Sequence, residues 1–244
     1  MEELILAGSS AGGLATILNA DRVASLVRPA RMAALADAGF FKYEQNHSTP
    51  AYSPSGNFSA DMQHVFGMVN ASGALSAQCL AAQATSPAHP GGEERPPSGS
   101  WNCLMAATAV PYVQSPLFVL QSRFDHFQLG AELALTCMVE QAYHPPWKNV
   151  TCSASEVAAI RAYGQDLYAE VEAAMENFPP GSRRGLFLSS CIVHGQVCVA
   201  GNELVREIGV NVFCLKDDTD FQMYKLVCQY NLHTLHIPTN DVRI

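Results

Sequence analysis

The sequence has no apolar run approaching the roughly 18 residues that a membrane-crossing helix needs. It also has little charge: 15% of its 244 residues are Asp, Glu, Lys or Arg. Basic residues are the scarcer sign, 14 against 22 acidic ones, for a net charge of -8. No basic stripe is present, which argues against a nucleic-acid partner. The acidic balance also disfavours tight binding to anionic membranes. Met1 is followed at once by Glu2-Glu3-Leu4-Ile5-Leu6-Ala7, which lacks the basic n-region and long apolar core of a secretory leader. What the chain does have is apolar character. Hydrophobic residues make up 48%, which at this length supports one domain with a real core and excludes a disordered or coiled-coil chain.

Eight cysteines occur, at positions 79, 103, 137, 152, 191, 198, 214 and 228. An even number suits a disulfide framework. Asn-x-Ser/Thr sequons start at Asn46, Asn57, Asn70 and Asn149, all in polar or Pro-rich stretches that read as surface. Together these favour an oxidising, secretory route. Buried free thiols and chance sequons are the plainer alternative.

Short apolar runs read as strands at Leu4–Ala7, Arg31–Ala36, Leu117–Leu120 and Gly185–Leu188. After the first, Leu14, Ile17, Leu18, Val23 and Leu26 recur at helical spacing. Ser155–Phe178 carries Val157, Ile160, Tyr163, Leu167, Val171 and Met175 at similar intervals, and Pro179-Pro180-Gly181 ends that helix. A shorter helix is expected over Leu75–Gln83, and His89–Ser100 reads as a solvated loop. Strands separated by helices argue an α/β layered fold with a parallel sheet. No internal repeat is visible, and 199–244 yields no clear organisation.

Gly8-Ser9-Ser10-Ala11-Gly12 fits G-x-S-x-G between the first strand and its helix. A nucleophilic serine needs a strained strand-to-helix turn that points its oxygen out of the sheet edge. Small residues two before and two after it avoid the neighbouring backbone. The helix that follows offers free N–H groups, so Ala11 would give one oxyanion donor. A Gly-rich turn without chemistry is the bland alternative. A phosphate loop fits poorly, because no Lys follows the glycines.

A serine also needs a base and an orienting acid, placed beyond the C-terminal ends of strands. Asp125 follows the third strand and His194 the fourth, in the order Ser, Asp, His. Asp37 also follows a strand but comes early. His47, His89 and His144 lie in loop-like segments, and His126 lacks the required interval after a strand. Cys191-x-x-His194-x-x-x-Cys198, with Cys214 or Cys228, has metal-ligand spacing but forms no paired knuckles. A Cys191 nucleophile is weaker still. Trp101 and Trp147 could line a pocket or simply pack under loops, and Tyr163 and Tyr168 read as helix-face residues.

Taken together, these segments resemble the pectin acetylesterase family, whose animal relative is the Wnt deacylase Notum. The resemblance rests on Gly8-Ser9-Ser10-Ala11-Gly12-Gly13-Leu14-Ala15, Asn19-Ala20-Asp21 and Leu35-Ala36-Asp37-Ala38-Gly39-Phe40. It continues in Pro116-Leu117-Phe118-Val119, Phe124-Asp125-His126-Phe127-Gln128 and Gly185-Leu186-Phe187-Leu188-Ser189-Ser190-Cys191-Ile192-Val193-His194, and His194-x-Gln196 is similar to the plant members.

The resemblance implies an α/β-hydrolase-like, mostly parallel sheet over 1–198, with 199–244 as a segment outside the family pattern. It implies Ser10 as nucleophile, Asp125 as acid, His194 as base and Ala11 as oxyanion donor, with no metal or organic cofactor. It further implies disulfides Cys79–Cys103 and Cys137–Cys152, and a secreted esterase acting on an acylated polysaccharide such as pectin. A Notum-like protein deacylase and a non-catalytic, hydrolase-like binding module are the alternatives. In the family, strands carrying a Gly-Gly-x-Trp-like turn precede the serine strand and complete the oxyanion hole. Their absence from this sequence leads to the expectation of an N-terminally truncated domain. Gly195 stands where plant members carry Cys.

Overall fold

A computed structural model of the chain describes residues 2–28, 31–42, 58–85, 99–139, 152–177, 181–190 and 192–196. Asn46, Asn57, Asn149, His47, His89, His144, Trp147, Cys191, Cys198, Cys214, Cys228, most of the 89–100 loop and the 199–244 segment lie outside the described residues.

Among the described residues, four strands, β1 (Glu3–Ser9), β2 (Arg31–Asp37), β3 (Leu117–Ser122) and β4 (Arg184–Ser189), form one parallel sheet in the order β1-β2-β3-β4. Each apolar run expected as a strand is one, extended by one to three residues because the ladder continues into polar positions such as Glu3, Asp37 and Ser189. Among the described residues, six α-helices accompany the sheet: α1 (Ala11–Val27), α2 (Phe58–Met68), α3 (Ala77–Thr85), α4 (Ala106–Ala109), α5 (Thr136–Val139) and α6 (Ala154–Glu176). This is the α/β arrangement that the strand and helix periodicities predict.

The core follows from those periodicities. Helix α1 buries Leu14, Ile17 and Ala20, and α6 buries Ile160, Tyr163, Leu167, Val171 and Met175, spacings that place each set on one helix face. Both helices contact the small, buried α4, and they share a core with Ala34, Ala36, Leu117 and Val119 of the central strands.

Helix α6 begins one residue earlier than expected because Ser153 caps it. The Ser153 hydroxyl accepts from the Glu156 amide, and the Glu156 carboxylate reaches back to the Ser153 amide, which satisfies two otherwise orphaned donors. That carboxylate is held down to about 2, chiefly by the Ser153 amide, then by the hydroxyls of Thr136 and Ser153 and the Cys137 amide. Helix α3 runs two residues beyond the expected end, over Ala77–Thr85.

Register sets the functional edge. Ser9 pairs with Asp37, Asp37 with Leu120, and Leu120 with Phe187, so the C-terminal ends of all four strands lie in one row. The turns that leave them converge there, where sites on parallel sheets form.

Candidate active site

The turn from β1 into α1 is fixed by backbone. Ser10 adopts φ 58° and ψ -127°, a conformation that non-glycine residues rarely take. Its amide donates to the Asp37 carbonyl at 2.8 Å, and its carbonyl accepts from the Leu14 amide at 3.0 Å, which opens the helix. Glycine is compulsory at position 8, where a Cβ would sit 2.3 Å from the Gly12 carbonyl oxygen. Gly13 and Gly39 are in similar mutual contact. At Gly12, by contrast, a Cβ would meet nothing within 4 Å. The motif reading asked for a small residue on both sides of the serine, but steric need falls on the first glycine alone. Ala11 is the exposed first residue of α1, where helix amides have no acceptor within the helix.

The turn after β3 is fixed by side chains. Asp125 is completely buried. Its carboxylate accepts from the amides of Phe127 (3.0 Å) and Gln128 (3.2 Å) and from Gln121 Nε2 (3.2 Å). Gln121 and Gln128 are also fully buried. Gln121 Oε1 accepts from the Phe40 amide, while Gln128 accepts from the Lys42 amide and donates to the Phe40 carbonyl. These two glutamines staple the chain leaving β2 to the turn that carries Asp125. Neither stood out in the sequence. The available signal was a glutamine interrupting the apolar run Leu117-Phe118-Val119-Leu120-Gln121.

His194 joins the two turns. Its Nδ1 lies 2.9 and 2.8 Å from the Asp125 carboxylate oxygens, and its Nε2 lies 2.7 Å from Ser10 Oγ. With Nδ1–H donating to Asp125, the neutral ring presents Nε2 as an acceptor for the serine O–H. Burial works against the imidazolium, but the hydrogen bond that the ring donates to Asp125 and the charges of Asp125 and Asp37 outweigh it, so the His194 pKa lies above the ordinary 6.5. Phe127 packs on the ring at 5.1 Å between centroids, with His126 at 5.9 Å and Phe41 at 6.3 Å. The arrangement can pass a proton from the hydroxyl to the imidazole while a buried carboxylate stabilises the resulting cation.

Asp37, the other carboxylate weighed from sequence, does not hydrogen-bond the imidazole. It accepts instead from Ser9 Oγ and the Gln196 amide. Trp101 is buried in a short helical turn over Ser100–Leu104, and Tyr163 is buried in the core. Disulfides join Cys79 to Cys103 and Cys137 to Cys152, the two pairings that the resemblance implies. Among the described residues, ligand atoms gather at Cys137, Cys152 and Glu156, but both thiols there are in a disulfide and the carboxylate is held by the α6 cap.

A profile of the pectinacetylesterase family matches residues 1–207. Pectin acetylesterase 11 of Arabidopsis thaliana is 28% identical over 201 residues, covering 80% of this chain and 44% of that protein. Pectin acetylesterase 7 of the same plant is 29% identical over the same shares. Mouse palmitoleoyl-protein carboxylesterase Notum is 31% identical over 134 residues, covering 53% of this chain and 24% of that protein. The crystal structure of the Wnt deacylase Notum from Drosophila shares the fold, with a TM-score of 0.53 and 22% identity over 80% of this chain and 45% of that one. The sheet is therefore α/β-hydrolase-like, and the chain spans less than half the length of the curated plant relatives it matches. With the family profile covering most of its length, the chain belongs to the pectinacetylesterase family.

Proposed function

We propose that this chain carries the catalytic residues of a serine carboxylesterase that deacetylates an acylated cell-wall polysaccharide such as pectin. The observation that carries the reading is the unbroken hydrogen-bond chain from Ser10 Oγ through both nitrogens of His194 to the buried Asp125 carboxylate. Ser10 Oγ attacks the acyl carbonyl carbon while its proton passes to His194 Nε2. Asp125 holds the imidazole tautomer and stabilises the imidazolium. The carbonyl oxygen becomes an oxyanion that the Ala11 amide, at the positive end of α1, is placed to receive. As the tetrahedral adduct collapses, the ester C–O bond breaks and the imidazolium protonates the departing alcohol. Water, deprotonated by the neutral imidazole, then attacks the acyl-serine; as the acyl C–Oγ bond breaks and acetate leaves, the imidazolium returns the proton to Ser10 Oγ.

The pectin acetylesterase relatives support the choice of substrate. Two disulfides and the sequon Asn70-Ala71-Ser72, whose Asn70 is exposed, support an oxidising, secretory compartment. Among the described residues no helix is long and apolar enough to cross a membrane. The alternative reading is a non-catalytic, hydrolase-like binding module. A fluorophosphonate probe separates the two. Labelling at Ser10 that disappears in Ser10→Ala, with acetate released from acetylated pectin, is expected of the esterase. Soluble, folded protein that never labels is the outcome of the binding module.

A further inference from the structure

Asp37 is 1% exposed and stands outside the proton path just described. It is the last residue of β2 and the register partner of Ser9. Its main-chain oxygen accepts from the Ser10 amide at 2.8 Å. One carboxylate oxygen accepts from Ser9 Oγ at 3.1 Å. The other accepts from the Gln196 amide at 2.8 Å, two residues beyond His194. A single residue thus grips the turn that carries the hydroxyl and the loop that carries the imidazole, segments 184 positions apart in the chain.

Two neighbours hold Asp37 itself in place. Ala38 takes φ 48° and donates its amide to the Leu120 carbonyl, and the backbones at Gly39 and Gly13 pack so closely that neither position has room for a Cβ. Gln196 is fixed at a second point, where its side-chain amide donates to Ser189 Oγ at the end of β4 (3.2 Å). A carboxylate kept this far from water needs donors for its lone pairs, and the Ser9 hydroxyl and the Gln196 amide supply them.

We infer that Asp37 is a positioning residue of the esterase site, a second carboxylate that clamps the serine turn to the histidine loop and so holds Ser10 Oγ and His194 Nε2 at reacting distance. The inference rests on the esterase reading for what the clamp serves, but not for the clamp. Its charge also lies close enough to bear on His194, alongside Asp125, which hydrogen-bonds the ring, and His126, which packs edge-on against it.

The test compares wild type, Asp37→Asn and Asp37→Ala, with Tm as the control for folding. Two readouts are used: the NMR titration of the His194 ring, which needs no turnover, and the pH dependence of Ser10 labelling by a fluorophosphonate. Asn keeps an acceptor but loses the charge. It is expected to lower the His194 midpoint and move the acidic limb of labelling to lower pH, with the plateau largely kept. Ala loses both, and its plateau is expected to fall on the order of tenfold to a hundredfold, since small misplacements of reacting groups cost that much.

Unchanged midpoints and plateaus in both variants overturn the clamp. Should neither variant fold, amide exchange in the wild type decides: the Gln196 N–H is expected to be protected, and exchange as fast as an open loop overturns the inference. Absence of labelling in the wild type would sink the esterase reading while the ring titration still decided the role of Asp37.

Discussion

At the exit of β1, main chain does the positioning. Ser10 is held by a positive φ, by its own amide on Asp37, and by glycines at positions 8 and 13 that let strand, helix and neighbouring turn touch. At the exit of β3, side chains do it. Asp125 is fully buried among donors anchored by Gln121 and Gln128. The first turn tolerates no added atom at position 8, whereas the second tolerates no lost partner. They should therefore fail in different ways when altered.

The largest expected effect is chemical. Asp125→Asn preserves the shape of the second turn but favours the wrong imidazole tautomer, and a loss of about 10⁴-fold in acetate release or in labelling of Ser10 is expected. A loss below tenfold would mean that another carboxylate can do the work. Next comes pH. The His194 pKa is raised, so the imidazolium persists to higher pH and the base form is lost as pH falls through a midpoint above 6.5. The labelling rate should drop by about tenfold per pH unit below that midpoint. A limb centred below 6.5 would contradict the balance of Asp125 and Asp37 over burial.

Stability changes follow. Gly8→Ala forces a methyl against the Gly12 carbonyl, and a loss of about 3 kcal/mol in denaturant unfolding is expected. Gln128→Ala leaves the Lys42 amide and the Phe40 carbonyl without this partner in a buried setting and should cost about 2 kcal/mol. Gly12→Ala, within the same motif as Gly8, should change stability by less than about 1 kcal/mol, in the stabilising direction, because its site is open and alanine suits a helix. Equal costs at positions 8 and 12 would remove the distinction between the two glycines.

Much of this was legible in sequence because it rests on local patterns. Period and composition located the four strands and helices α1 and α6. The G-x-S-x-G run is a backbone device that specifies its own residues, and the order Ser, Asp, His follows from the way parallel strands present their ends. The glutamine staples were not legible. A buried Gln is indistinguishable from a surface one until its partners are known, and those partners are main-chain groups of Phe40 and Lys42, more than 80 residues away. Asp37 was visible only as a rival to Asp125, since its contacts with Ser9 and the Gln196 amide depend on sheet register and on a loop beyond β4. The start of α6 was misplaced by one residue because three serines and threonines lie together at Thr151, Ser153 and Ser155, and any of them makes a plausible cap.

The dihedral at Ser10 has a further consequence. Residues other than glycine give up on the order of 1 kcal/mol or more to remain in such a conformation, so the fold carries the proposed nucleophile at some expense to its own durability. A library of variants ranked on heat tolerance alone would reward replacement of that one serine by glycine, and on the esterase reading its sturdiest member would be inert.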